Sequence, residues 1–368
     1  MKSVALYLPN LTGGGAERTL LRLALGFRAS GWSPRFVVDQ ACGELVSAVQ
    51  AEEIPLDTLN ASRTLRALPR LADWLRIQQP TVLLSAITHN NLIAVWARAW
   101  ARVATRIILS ERTVLSAQAT THRQWQYRVL PRLCALTHPH AAAVIAVSQG
   151  VADDLVSYAH LQRRRIVVIP NPVVTPDFPA RAAAPCLHRW LQDSTVPVVV
   201  SAGRLEPVKD FPTLLHAFAR LREQRPARLL ILGEGSQRGE LLALRDQLGL
   251  ADAVDLPGFQ PDPLPFFARA AVLAVSSRYE GFGLTLVEAL ACGIPVVSTR
   301  CGGPAEILAD GRYGWLTPVG NVAAFSAALA EALDHPPAPD LLRNRAQDYT
   351  VDAVTQRYLD VFTEEYCL

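Results

Sequence analysis

The chain has 368 residues, half of them apolar, which is enough for two domains with full cores, and its formal charge of +3 is close to neutral for that size. Six cysteines with no C-x-x-C spacing and no clustering with histidine argue against a disulfide scaffold and structural zinc; small buried thiols in a reducing cytosol fit them best. No stretch stays apolar and uncharged for the length of a bilayer, since even residues 82–109 are interrupted by His89, Asn90, Asn91 and arginines.

The charge is unevenly spread. Residues 1–180 carry 19 Lys/Arg against 11 Asp/Glu, a net of +8, and the remainder carries 17 against 22, a net of −5. Because Lys2 and Lys209 are the only two lysines, the arginine count reflects composition as much as function. Residues 1–10 hold one lysine and an apolar run ending at Pro9, too short for a signal-peptide core, and the run is expected to be the first strand. Gly13-Gly14-Gly15-Ala16-Glu17-Arg18 follows, and residues 19–28 have apolar positions at helical spacing. Three glycines there allow a ligand to approach the backbone and leave N–H groups exposed at the helix start. Neither G-x-G-x-x-G nor a P-loop G-K-[ST] is present, and a flexible loop accounts for the glycines equally well.

Apolar strands are predicted at 35–38, 82–86, 106–109, 143–147 and 166–169, alternating with helical stretches such as 67–78 and 92–104. Such alternation means a parallel sheet wrapped by helices. In Ser85-Ala86-Ile87-Thr88-His89-Asn90-Asn91 a strand gives way to a helix, which puts His89 at the ligand-facing edge, as a contact or simply as a helix cap. Between Trp96 and Arg132 stand Arg98, Arg102, Arg106, Arg112, Arg123, Arg128 and Arg132, with Trp96, Trp100, Trp125 and Tyr127, against one acid, Glu111. Arg98 and Arg102 are expected to share one helix face. A basic face with aromatic anchors suits anionic headgroups or a lipid diphosphate; a solvated helix surface over buried tryptophans is the other reading.

Ile169-Pro170-Asn171-Pro172-Val173 closes the first sheet, and proline and alanine in residues 175–195 mark a linker. The expected division is 1–180 for a first domain, 181–345 for a second, and 346–368 for a terminal helix that packs outside its own sheet or crosses back to the first domain. The strand pattern restarts at 196–202, followed by Gly203-Arg204-Leu205-Glu206-Pro207-Val208-Lys209-Asp210. Arg204 and Lys209 flank this turn, one a fork for phosphate oxygens and the other a mobile point charge; surface pairing with Glu206 or Asp210 is the alternative. Residues 228–232 end in Gly233-Glu234-Gly235.

The most specific stretch begins after the apolar run 271–275. Ser276-Ser277-Arg278-Tyr279-Glu280-Gly281-Phe282-Gly283 is predicted to be a loop, and residues 284–292 a helix closed by Gly293, with Glu288 about one turn in. A strand, glycine loop and helix in series aim backbone N–H groups and the positive end of a helix dipole at a bound diphosphate. Glu280 can face the reacting end of that ligand while Glu288 reaches a neighbouring hydroxyl. The next strand, 294–299, ends in Gly302-Gly303-Pro304-Ala305-Glu306, so two adjacent strands finish in glycine turns on one sheet edge, where open α/β sheets bind ligands.

Taken in order, the Arg204 to Lys209 turn, Gly233-Glu234-Gly235, Glu280-Gly281-Phe282-Gly283 with Glu288, and Gly302-Gly303-Pro304-Ala305-Glu306 resemble the motif series of family 4 (group 1) glycosyltransferases. The resemblance spans nearly the whole chain, and Gly13 to Arg18 and Ser85 to Asn91 are similar to the N-terminal counterparts in members that build bacterial surface or lipid-linked glycans. It implies an α/β, GT-B fold, two Rossmann-like domains facing across a cleft, the second holding the nucleotide sugar and the first the acceptor. By the same resemblance Arg204 and Lys209 neutralise the leaving diphosphate, Glu288 holds the ribose hydroxyls, and Glu280 contacts the sugar near its anomeric carbon. Gly13, Gly14, Gly15, Gly233, Gly281, Phe282, Gly283, Leu284 and the Gly302-Gly303 turn line the donor, and His89 touches the sugar or reacting centre.

The implied reaction retains anomeric configuration and needs no metal, in keeping with the lack of a D-x-D pair. It would transfer a hexosyl or N-acetylhexosaminyl group, with UDP-linked donors favoured over GDP-linked ones, to a growing glycan that a lipid carries. The expected setting is the cytoplasm, peripherally on the inner face of the cell membrane, with anionic lipid as a partner and no nucleic acid. Two other classes compete: a catalytically idle GT-B protein binding a sugar nucleotide or partner enzyme, and a nucleic-acid binder using residues 96–132. The intact Arg204, Lys209, Glu280 and Glu288 weigh against the first, and the acidic second half weighs against the second.

Overall fold

A computed structural model describes residues 2–121, 126–192 and 195–363, with the side chains of 118, 120, 121 and 126–128 outside the description. The chain folds as two parallel sheets, each flanked by helices, in a GT-B fold of two Rossmann-like domains. One compact unit comprises the described parts of Met1–Pro172 and Val351–Leu368, and the other is Val173–Thr350.

The first sheet contains β1 (Ser3–Leu8), β2 (Ser33–Val38), β3 (Leu56–Thr58), β4 (Val82–Ala86), β5 (Arg106–Glu111), β6 (Ala143–Ala146) and β7 (Ile166–Val168), in the order β3-β2-β1-β4-β5-β6-β7. The second contains β8 (Val198–Ala202), β9 (Arg228–Leu232), β10 (Val254–Gly258), β11 (Val272–Val275), β12 (Val296–Thr299) and β13 (Trp315–Thr317), in the order β10-β9-β8-β11-β12-β13. Strands such as β4, β6, β11 and β12 are buried at every residue, so both faces are covered, and this is why they read as continuous apolar runs. β3 and β13 had no sequence signal: three residues of mixed burial make no periodicity.

The helices bury one stripe each. The Gly15–Ala29 helix turns Leu20, Leu23, Ala24 and Phe27 inward. The Val351–Thr363 helix packs against it: Phe362 lies 5.2 Å from Phe27 and 5.4 Å from Trp32, ring centre to ring centre. Gly26 permits this approach, since a Cβ there would fall 2.1 Å from Thr355 Oγ1.

Chain order fixes a polarity in the first unit. Helices return antiparallel to the strands, so their C-terminal ends collect at the edge where strands begin. Arg28, Arg76 and Arg98 occupy last helical turns, Arg102 is a C-cap, Arg106 opens β5, and Arg163, Arg164 and Arg165 precede β7. Much of the positive charge therefore lies at the edge opposite the strand C-termini, beside exposed Ile77 and Trp100. Arg98 and Arg102 do not share a helix face, because the helix ends at Ala101 and Arg102 turns left-handed at φ 55°. Arg123 and Trp125 lie outside the described residues, as do the side chains of Tyr127 and Arg128.

Candidate active site

In the second unit the strand order reverses between β8 and β11, and the loops after these strands flank the crevice where such sheets take ligands. Both loops carry the residues singled out from the sequence. Lys209 Nζ donates to Glu280 Oε1 at 2.6 Å, and Ser277 Oγ donates to the same oxygen at 2.7 Å. Two further bonds join the loops: Ser276 Oγ donates to the Lys209 carbonyl at 2.8 Å and the Arg278 N–H to the Val208 carbonyl at 2.8 Å. The lysine stem runs over Gly203, where a Cβ would stand 3.3 Å from Lys209 Cε. Arg204, on the same loop, is exposed and makes no ion pair among the described residues. One cation is thus held by a carboxylate and the other is presented to solvent.

The glycines allow tight backbone approaches. Gly233, at φ 139°, carries its α-carbon so close to the loop after β8 that a Cβ would lie 2.0 Å from the Gly203 carbonyl oxygen. Its immediate role is packing one ligand loop on another. Gly303 does the same for the loop after β11, where a Cβ would fall 2.1 Å from the Phe282 carbonyl oxygen. Phe282, expected among the donor-lining residues, turns its ring inward onto Tyr349 at 5.7 Å, so its backbone is what remains for a ligand.

Gly281 precedes it half-buried, Gly283 is the N-cap of the Leu284–Cys292 helix, and half-buried Leu284 opens that helix. Glu288 stands one turn further in, half-buried. Arg181, which the sequence did not single out, lies in its field: a hydrogen bond to Asp262 is the main cause holding this guanidinium above its usual pKa, and the Glu288 charge adds to it. Cys301, close to the Glu280 charge, has its thiol pushed up to about 11, chiefly by burial.

In the first unit the reversal falls between β1 and β4. Here the Gly13 to Gly15 loop follows β1 and His89 follows β4, so the fold brings them to one edge as expected. Gly14 is the N-cap of the Gly15–Ala29 helix, and Arg18 Nε donates back to the Gly13 carbonyl at 2.9 Å. Glu17 folds over the same loop: a Cβ on Gly14 would meet Glu17 Oε2 at 2.6 Å, and one on Gly13 would meet Glu44 Oε2 at 3.2 Å. Two carboxylates and the Arg18 guanidinium thus lie against the glycine loop, so the charges around it are mixed.

His89 is half-buried, and burial lowers its pKa, partly offset by the Glu111 charge. The turn that carries it is strained: Ile87, a β-branched residue, sits at φ 77°, ψ 125°, which costs about 1–3 kcal/mol. Around it lie two buried carboxylates that sequence reasoning passed over. Glu111 accepts from Thr88 at 2.7 Å and Asn91 at 2.7 Å and pairs with His138 at 2.8 Å. Burial alone would raise its pKa, but these bonds and the His138 charge hold it below the usual range. Asp39 accepts from Tyr7 at 2.7 Å and from Asn90 at 3.2 Å, and burial pushes its pKa up to about 6 against those bonds. A signal existed for both. Glu111 is the lone acid among the arginines of residues 96–132, and Asp39 directly follows the predicted strand 35–38.

Glu111, Cys134 and His138 place one donor atom each within 4.8 Å of one another, the one such group among the described residues. Both Glu111 oxygens already have donors, from Thr88, Asn91 and His138, and burial pushes the Cys134 thiol up beside them.

Two family models match successive parts of the chain: Glycosyltransferase Family 4 matches residues 13–176 and Glycosyl transferases group 1 matches residues 188–349. An N-acetylgalactosamine-N,N'-diacetylbacillosaminyl-diphospho-undecaprenol 4-alpha-N-acetylgalactosaminyltransferase of Campylobacter jejuni is 30% identical over 262 residues, 71% of this chain and 69% of that protein. The chain belongs to the family 4, group 1, glycosyltransferases.

A lipopolysaccharide core biosynthesis glycosyltransferase of Rhizobium meliloti, LpsE, is 34% identical over 178 residues, 46% of this chain and 50% of that protein. Among solved structures, Alr3699/HepE of Anabaena, crystallised with UDP, superposes with a TM-score of 0.81 at 22% identity, covering 99% of this chain and 100% of that one. The lipopolysaccharide outer core galactosyltransferase WaaB superposes with a TM-score of 0.76 at 20% identity, covering 98% of this chain and 99% of that one. This family 4 glycosyltransferase is accordingly an enzyme that moves a sugar from a nucleotide-sugar donor to an acceptor, homologous to enzymes that build bacterial surface and lipid-linked glycans.

Proposed function

We propose that the enzyme is a retaining, metal-independent transferase that moves a hexosyl or N-acetylhexosaminyl group from a UDP-linked donor to a growing lipid-linked glycan. The observation that carries this reading is the Lys209–Glu280 pair at the β8/β11 reversal, beside the exposed Arg204. As the bond between the anomeric carbon and the diphosphate oxygen loosens, negative charge gathers on the departing diphosphate. Lys209 and Arg204 are cations placed to receive it, as preorganised charges do at other leaving groups. Backbone N–H groups of Gly281, Phe282, Gly283 and Leu284 add to that field from a helix start, and Glu288 takes the ribose hydroxyls. Glu280 meets the sugar near its anomeric carbon. Gly13, Gly14, Gly15 and His89, at the first unit's ligand edge, take hydroxyls of the sugar and acceptor.

The choice of UDP and of a lipid carrier leans on relatives: UDP is named for the Anabaena structure, and diphospho-undecaprenol is named for the Campylobacter enzyme. The alpha linkage in that enzyme's name is what retention yields from an alpha-linked donor. Location on the inner face of the cell membrane rests on the basic edge of the first unit, where Arg76, Arg98 and Arg102 surround exposed Trp100 and Ile77. Docking through this edge leaves the opposite, ligand-binding edge open to a carrier-linked saccharide. Among the described residues no helix is long and apolar enough to cross a membrane.

The test is turnover of UDP-, GDP- and ADP-sugars with undecaprenyl-diphosphate-linked and free saccharides, with and without chelator, reading the product's anomeric proton by NMR. Retained configuration, chelator-insensitive release of UDP and preference for the carrier-linked acceptor are expected. An inverted product, or loss of turnover with chelator, overturns the corresponding part. Co-sedimentation with vesicles containing anionic lipid, reversed by salt, tests the membrane contact, and equal recovery with neutral vesicles removes it.

A further inference from the structure

Three of the four residues that open the Thr88–Ala101 helix are held by buried carboxylates. Thr88 and Asn91 donate to Glu111 at 2.7 Å each, and Asn90 donates to Asp39 at 3.2 Å. These three are 4%, 0% and 1% exposed, and His89, between them, is the one left half-buried. The two carboxylates are anchored in turn from outside the helix, Glu111 by His138 and Asp39 by Tyr7. The strained backbone of Ile87 starts this turn, and its carbonyl still accepts the Asn91 N–H at 3.0 Å.

Buried carboxylates contribute little net stability compared with apolar residues of similar size, so their best-attested use is to specify one geometry. A strained turn relaxes unless its surroundings over-determine it. Here hydrogen bonds on both sides of His89, from strand ends β2 and β5, supply that constraint.

We propose that Asp39 and Glu111 are positioning residues, which clamp the first turn of the Thr88–Ala101 helix from two sides and so fix the imidazole of His89 at the ligand edge. This rests on the assignment of His89 to the sugar-transfer site. The clamp acts through Thr88, Asn90 and Asn91 and touches neither donor nor acceptor itself.

Replacing Glu111 outright strands three buried donors and risks unfolding, so the test uses Thr88→Val, which keeps the shape and removes one bond, and Asn90→Ala. Both variants are first shown to be folded by circular dichroism. Each is expected to lower kcat by about ten- to hundredfold, the cost of slight misplacement of a reacting group, with donor KM nearly unchanged. Thr88→Ser is expected to restore the rate. Combined with His89→Ala, Thr88→Val is expected to add no further loss, because both act on one group.

Losses that multiply in the double variant, or a wild-type kcat in Thr88→Val and Asn90→Ala, overturn the inference while leaving sugar transfer standing. Full activity in His89→Ala removes the His89 assignment and this inference together. Should no nucleotide sugar turn over at all, the functional reading fails by itself, and NMR titration of the His89 imidazole still decides the clamp. Release of the turn exposes the ring and moves its pKa up toward the ordinary histidine value in Thr88→Val and Asn90→Ala; an unmoved titration overturns the clamp.

Discussion

Lys209 Nζ and Glu280 Oε1 lie 2.6 Å apart, 71 residues distant in sequence, and the pair ties the loop after β8 to the loop after β11. Its two side chains are 25% and 14% exposed, so the charges are partly shielded from water and screened less by salt than a surface pair would be. In the proposed reaction, a diphosphate arriving at this crevice would meet a lysine whose charge is already shared with a carboxylate. Under the proposed function, the pair would set both how tightly the leaving group is held and how well its charge is stabilised.

If Lys209 receives the leaving charge as proposed, removing it loses transition-state stabilisation. Lys209→Ala is expected to lower kcat about a hundred- to a thousandfold, the scale for deleting one preorganised donor to developing negative charge. Steady-state release of nucleotide diphosphate measures it, and a change below threefold would show that Lys209 is not the group that receives the leaving charge.

Removing the anion separates binding from chemistry. Glu280→Gln takes a negative charge from beside the diphosphate site and frees Lys209, so nucleotide-diphosphate affinity is expected to rise several-fold while kcat falls by at least about tenfold. Calorimetric titration with UDP, set against turnover, reads the two arms. Weaker UDP binding in Glu280→Gln would mean that the carboxylate orients Lys209 for binding instead of competing for it.

Gly233→Ala is expected to be severely destabilising, by more than about 2 kcal/mol, because it combines an unfavourable positive φ with a collision against the Gly203 carbonyl. Chemical denaturation of the variant measures the loss. A wild-type midpoint would show that the two loops move apart without cost.

The pH dependence of stability carries the signature of Asp39. Its folded pKa is raised to about 6, above the ordinary aspartate value, so the folded state holds the proton more tightly than the unfolded chain. The contribution is fully present below the unfolded pKa and is lost as pH rises through about 6. Asp39→Asn removes this titration, and the mutant's stability is expected to decline less than the wild type's between about pH 4 and pH 7. Denaturation midpoints across that range check it; identical slopes would place the pKa of Asp39 near that of an exposed carboxylate.

Much of this site was legible from residue order. The strand, glycine loop and helix signature around Glu280 and the cation-bearing turn around Lys209 were visible because apolar runs and glycines are local signals. Phe282 shows the limit, since the residue pattern places it on the ligand loop and says nothing of its ring, which packs on Tyr349. Arg102 shows another: helical spacing continued it onto the face of Arg98, whereas a left-handed C-cap ends the helix before it.

By itself, then, the order of residues determined two parallel α/β units and the loops that present Arg204, Lys209, Glu280, Glu288, His89 and the Gly13 to Gly15 run. Tertiary structure alone decided which of these meet. Lys209 joins Glu280 because β8 and β11 are neighbours at the reversal of strand order, and Asp39 and Glu111 grip the turn beneath His89 because β2 and β5 flank β1 and β4. Short-range periodicity carries burial and local shape; strand adjacency is set by the packing of whole units, and contacts between distant residues follow from it.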